Sequence, residues 1–82
     1  MTTTTPDAAV EIHGYALRVI REARSRKVAE LAEALGVDRS YIARIETGNS
    51  RRVSKVFYTR LLAELQVDDY RALLAVAPKR AA

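Results

Sequence analysis

The stretch VAELAEALGVDRSYIARIETG, residues 28–48, decides how this chain folds. Val28, Leu31, Ala32 and Leu35 recur at three- and four-residue spacing, the period of a short helix with one apolar face. Gly36 follows at once, and glycine just past such a run ends a helix because it adopts positive φ at little cost. Asp38 is a good cap for the next helix, whose inward face is Ile42 and Ile45 and which Gly48 stops. Two helices that cross steeply around so short a turn need a small residue at the crossing, and Ala32 supplies it. They need a turn residue free to take positive φ, and Gly36 stands four residues later. The second helix needs bulky apolar side chains aimed back at the first, and Ile42 and Ile45 lie six and nine residues past the glycine. Val37 covers the turn from beneath. The set of spacings is far more specific than any one residue in it.

Working outward, the same periodicity places further helices on both sides. Upstream, Ile12, Ala16, Leu17, Ile20 and Ala23 share one face, with Arg18, Arg21, Glu22 and Arg24 interleaved. Gly14 weakens the start of that pattern, and Thr5-Pro6-Asp7 has the form of a helix start. Downstream, Ser54 can cap a fourth helix carrying Phe57, Leu61 and Leu65 on one stripe, with Tyr58 and Leu62 beside it. Val67-Asp68 opens a fifth, with Tyr70, Leu73 and Leu74 apolar and Pro78 as its end. Met1 to Thr5 has nothing to bury and reads as a tail. No convincing strand and no internal repeat is visible. The expectation is an all-α fold of five short helices around one core, with residues 1–10 a flexible N-terminal tail, 11–77 the folded domain and 78–82 a C-terminal tail.

Composition narrows the function. The chain has 82 residues, 49% apolar and 29% charged, which suits one ordinary globular domain. It has no cysteine and a single histidine, His13, so a metal set or a hydrolytic triad lacks its parts, and no glycine-rich phosphate loop is present. No cofactor and no enzymatic chemistry are therefore expected, and His13 reads as a solvated or helix-flanking residue. No apolar run approaches the roughly 18 residues of a membrane span, and no apolar signal core opens the chain, so a cytoplasmic protein without a membrane partner is expected. The formal charge is +4, yet the segment from Arg18 to Arg60 alone holds eleven Lys or Arg against five Asp or Glu. The positive charge is therefore concentrated in the middle, where it attracts a polyanion such as nucleic acid.

The stretches Gly14–Arg24 and Ala29–Gly48 resemble the Xre-type helix-turn-helix domain of phage repressors and Cro proteins, over about residues 14 to 74. The most specific part is Leu31-Ala32, Gly36-Val37, Ile42, Ile45-Glu46 and Gly48. The resemblance implies a five-helix, lambda-repressor-like domain, usually a homodimer, that binds double-stranded operator DNA and most often represses transcription. Tyr70, Leu73 and Leu74 are the apolar residues that either form a dimer face or join the core. The resemblance also implies that an arginine of the first helix, here Arg21, pairs with the glutamate that closes the recognition helix, here Glu46. A guanidinium fork can hold a carboxylate across a helix crossing and fix its angle.

By the same resemblance, Arg39, Ser40 and Arg44 fall at base-contacting positions, with Ala43 and Thr47 neighbouring. Arginine can donate two hydrogen bonds to a guanine edge. Tyr41 either touches phosphate at the groove edge or packs as a partly buried aromatic. Asn49, Ser50, Arg51, Arg52 and Lys55 match the loop that clamps the DNA backbone, and the free N–H groups opening the fourth helix attract phosphate. The chain departs from the family pattern at Val28, where a phosphate-touching glutamine is usual, so Lys27 or Arg26 is expected to supply that contact. Val53 replaces a common loop proline. A different class of function, an antitoxin that holds a toxin partner through residues 66–82 and binds DNA secondarily, is the alternative.

Overall fold

The computed structural model describes residues 9–75, and the helix start at Thr5-Pro6-Asp7, the tail at 78–82 and the stop at Pro78 lie outside them. The element order is β1 (Ala9–Glu11), α1 (Gly14–Ala23), α2 (Val28–Leu35), α3 (Arg39–Thr47), β2 (Arg52–Ser54) and α4 (Lys55–Glu64). There are thus four helices and a small sheet among the described residues, not five helices. Leu17, Leu31, Ala32, Leu35, Ile42, Ile45, Tyr58, Leu61, Leu62 and Leu65 form one buried core. No described helix is long and apolar enough to cross a membrane.

Every helix ends in the same way. Gly36 and Gly48 take left-handed φ of 74° and 90°, and the residue after each donates to a carbonyl one turn back, Val37 to Ala32 at 3.0 Å and Asn49 to Arg44 at 2.9 Å. These are Schellman ends, which satisfy carbonyls the helix cannot. Ser25 (φ 57°) and Gln66 (φ 58°) close α1 and α4 by the same pairing, without glycine. The starts are more varied. Ser54 Oγ accepts from the Phe57 N–H at 3.0 Å, as its position in the sequence suggests. Asp38 occupies the cap position of α3, but its side chain makes no capping bond. The α2 start at Lys27 is tied by Glu30, whose carboxylate accepts from the Lys27 N–H at 3.0 Å.

The first helix begins at Gly14, not Ile12. His13 is the cap, with Nδ1 accepting from the Ala16 N–H at 3.2 Å. Gly14 is not merely a weak helix former. A Cβ there would overlap the Ile45 carbonyl oxygen and stand 2.9 Å from that of Glu46, so the missing side chain lets α1 cross the end of α3 backbone to backbone.

β1 and the two residues after it run between two partners. β1 pairs antiparallel with β2 in the register Val10↔Val53 and Glu11↔Arg52, starting at Ala9 within the expected tail. On its other side, His13 N–H donates to Leu73 O at 2.7 Å, Ala75 N–H to Glu11 O at 2.9 Å, and Ile12 bridges Leu74. The expected fifth helix is absent from the described part of that segment. Asp69 accepts from the Arg71 N–H at 2.9 Å, a local turn that competes with a helix, and Leu73 is held by the sheet and the core. Leu73 is fully buried, so it is unavailable as a dimer face; Leu74 is half-buried and Tyr70 exposed. The buried Tyr58 hydroxyl donates to Tyr70 O at 2.5 Å and accepts from the Leu73 N–H at 3.2 Å, with the two tyrosine rings edge to face.

Gly14→Ala forces backbone apart at the α1–α3 crossing and should cost about 1–3 kcal/mol or more, the range for overpacking; an unchanged denaturation midpoint would contradict the crossing. Tyr58→Phe leaves the buried Leu73 N–H unpaired, at about 1–3 kcal/mol. Burial pushes the Tyr58 phenol above its usual value near 10. The stability linked to this raised value is therefore complete below pH about 10 and is lost as pH rises through it, and Tyr58→Phe should flatten that part of the stability profile.

Candidate nucleic-acid interface

The site is built on α3, and α3 is held from behind by one ion pair. Arg21 Nε donates to Glu46 Oε2 at 2.6 Å and Nη2 to Oε1 at 3.0 Å, a two-pronged contact between side chains only 11% and 7% exposed. The remaining fork nitrogen, Nη1, donates to the Arg26 carbonyl at 2.9 Å, so the loop before α2 is tied to the same group. The hydrogen bond to Glu46 raises the Arg21 pKa further above its ordinary value, so the guanidinium stays charged. The pairing expected of Arg21 and Glu46 is present, and it sets the angle between α1 and α3.

With Ile42 and Ile45 buried, the opposite face of α3 is presented to solvent. Ser40, Ala43, Arg44 and Thr47 are exposed there on one stripe at helical spacing, and Arg39, also exposed, opens the helix at the edge of that stripe. The Thr47 hydroxyl donates to the Arg44 carbonyl at 3.2 Å. Tyr41 is half-buried, its ring edge-on to Phe57 with centroids 5.5 Å apart, and the Arg44 guanidinium lies 5.7 Å above it. Tyr41 thus packs as a partly buried aromatic at the edge of the site, with Arg44 over its ring.

Past Gly48 the chain turns sharply, because Asn49 and Ser50 N–H groups both donate to the Arg44 carbonyl. Asn49, Ser50, Arg51 and Arg52 line a shallow polar cleft with Tyr41 and Glu11. Arg52 lies in β2 and Lys55 opens α4; both are exposed, as is Lys27 at the start of α2. Among the described residues no carboxylate pairs with Arg39, Arg44, Arg52, Lys55 or Lys27. Arg51 does have one, Glu11 at 3.8 Å. Arg26 is turned to another task. Its Nη1 donates to Glu64 O at 2.8 Å and Nη2 to the Glu64 carboxylate at 3.3 Å, while Arg24 donates to Leu65 O and Gln66 O. These two arginines close the end of α4, which the sequence alone did not suggest. The sequence also passed over Glu11 and the exposed Tyr15, which lines a groove with Thr47 and Arg51. Both come to the site through packing between segments distant in the chain.

A short helix carrying unpaired cations outward, propped on a second helix across a glycine turn, defines the class: a helix-turn-helix domain of the Xre/Cro-like DNA-binding type. Residues 14–75 match the model of the Helix-turn-helix domain family, and the chain belongs to that family. Among the solved structures similar to the chain are the following three. One is SinR, the master regulator for biofilm formation, in complex with DNA, at 31% identity and TM-score 0.63 over 67% of this chain and 87% of that one. Another is the restriction-modification controller protein C.AhdI from Aeromonas hydrophila, at 34% identity and TM-score 0.64 over 72% and 86%. The third is the SinR protein/SinI protein complex, at 31% identity and TM-score 0.67 over 76% of this chain and 59% of that one. No curated protein matches the chain.

Glu46→Ala should damage the fold before it alters any contact made by α3. It leaves Arg21 uncompensated in a largely buried position, at about 3–5 kcal/mol, a large part of the 5–15 kcal/mol or so that holds a typical domain together. Thermal denaturation reads this directly, and an unchanged midpoint would mean that the pair does not hold α1 to α3.

Proposed function

We propose that this chain is a sequence-specific transcriptional regulator, most simply a repressor, that binds an inverted-repeat operator as a homodimer through α3. The observation that carries the reading is the exposed face of α3, where Arg39 and Arg44 have no acidic partner among the described residues while Arg21, on the opposite side, is fully engaged. An α-helix fits the major groove, and one short helix covers only a few base pairs, so two copies are needed for tight and selective binding. Half-sites about 10–10.5 base pairs apart follow from two-fold pairing. The similarity to SinR, solved with DNA, and to the controller C.AhdI supports this reading. It entails a protein that works where the DNA is, in the cytoplasm, with residues 11–77 as the binding domain and no catalytic step.

Within the site, Arg39 and Arg44 read base edges, with Ser40, Ala43 and Thr47 shaping the same surface. Lys27, Tyr41, Asn49, Ser50, Arg51, Arg52 and Lys55 face the backbone phosphates. The second reading, a protein partner such as a toxin on residues 66–82, draws on SinR, which is also solved with SinI, and on the exposed Tyr70.

Alanine substitution separates the two groups. Arg39→Ala or Arg44→Ala should relax preference at particular base pairs by about 1–3 kcal/mol for each two-pronged bond to guanine that is removed. Arg52→Ala or Lys55→Ala should weaken binding to operator and scrambled duplex alike and reduce the salt slope by about one unit. Sites chosen by in vitro selection, followed by competition binding at two salt concentrations, distinguish these outcomes. If Arg44→Ala weakens both duplexes equally, Arg44 is not a base reader.

A further inference from the structure

We propose that Glu11 moderates the grip of this site on the DNA backbone: its carboxylate takes the place of a phosphate against Arg51 and weakens binding to every sequence alike. The inference rests on the DNA-binding reading given above and adds to it an internal competitor. Glu11 belongs to β1, opposite Arg52 in the register. Its carbonyl accepts from the Ala75 N–H at 2.9 Å, and the next residue, Ile12, donates to the Arg51 carbonyl at 2.8 Å. The backbone is thus pinned on both sides, and the carboxylate stays at the cleft.

That cleft is the one lined by Tyr41, Asn49, Ser50, Arg51 and Arg52, and among the described residues Glu11 is the single acid on its lining. Its Oε2 lies 3.8 Å from Arg51 Nε, with the Arg51 side chain 67% exposed and that of Glu11 37%. Of the other acids near the site, Glu46 is committed to Arg21 and Glu30 to the start of α2, and Asp38, exposed at the start of α3, is not on the cleft's lining. Carboxylate and phosphate seek the same guanidinium donors. An exposed pair of this kind adds little to the fold. Its effect falls on binding, because a phosphate that engages Arg51 must displace the Glu11 carboxylate from it, and one cation of the loop is partly cancelled before DNA arrives. The position sets overall affinity and leaves base preference to α3.

Glu11→Gln removes the charge while keeping the side-chain shape and the strand pairing, so its thermal midpoint should match that of the parent. The full chain would be titrated with an operator obtained by selection and with its scrambled duplex, between about 50 and 200 mM salt. The variant should bind both duplexes about fivefold more tightly at the lower salt, the factor for a unit charge about 4 Å away in water. The slope of log affinity against log salt should steepen by about one unit, with base preference unchanged. In an Arg51→Ala background the gain should vanish. Equal affinity and slope in parent and Glu11→Gln would overturn the proposal, as would a full gain without Arg51. If the parent bound neither duplex, the DNA-binding reading itself would fall, and this inference with it.

Discussion

The crossing of α1 over α3 governs the rest of the structure. It is fixed at two points. At one end Gly14 lets the start of α1 meet the Ile45 and Glu46 carbonyls with no side chain between them. At the other, both prongs of the Arg21 fork hold Glu46. A close backbone approach sets the distance and a planar two-pronged ion pair sets the angle, so α3 has one orientation relative to the core. The same guanidinium ties the Arg26 carbonyl, which brings the start of α2 into register with the crossing. With α3 fixed in this way, its apolar residues can only face inward and its arginines outward.

The division of the cations follows from that geometry. Arg21, Arg24 and Arg26 are spent on the protein, closing helix ends and the crossing, where their charges meet carbonyl oxygens and carboxylates. Arg39, Arg44, Arg52 and Lys55 are left facing water. Net charge alone does not distinguish the two groups, since all are basic residues at similar spacing in one stretch of chain. The group facing water lies on the face of α3 and the loop after it, where its charge adds to long-range attraction for a polyanion.

Strand β1, with the bridge at Ile12 that follows it, gives the loop a second support. It joins β2, which carries Arg52, to the turn around Leu73 that hangs from the Tyr58 hydroxyl. A change at the C-terminal segment is therefore connected through hydrogen bonds to the residues that line the polar cleft.

By itself the sequence determined the helical elements from α1 to α4 and the turn between α2 and α3, because each depends on contacts within one or two turns. Periodic apolar residues, Gly36, Gly48 and the Ser54 cap all act locally. The Arg21–Glu46 pair was legible too, through resemblance and not through spacing. Tertiary structure decided the remainder. A three-residue strand such as Ala9–Glu11 has no period to detect, and its pairing with residues more than forty positions away exists only once the core has formed. The apolar spacing at Tyr70, Leu73 and Leu74 suits a helix, yet Asp69 bonds locally to Arg71, and Leu73 serves the sheet and Tyr58 instead. Likewise Gly14 reads as a weak helix former until α3 is packed against it, when the absence of a side chain becomes the condition for the crossing.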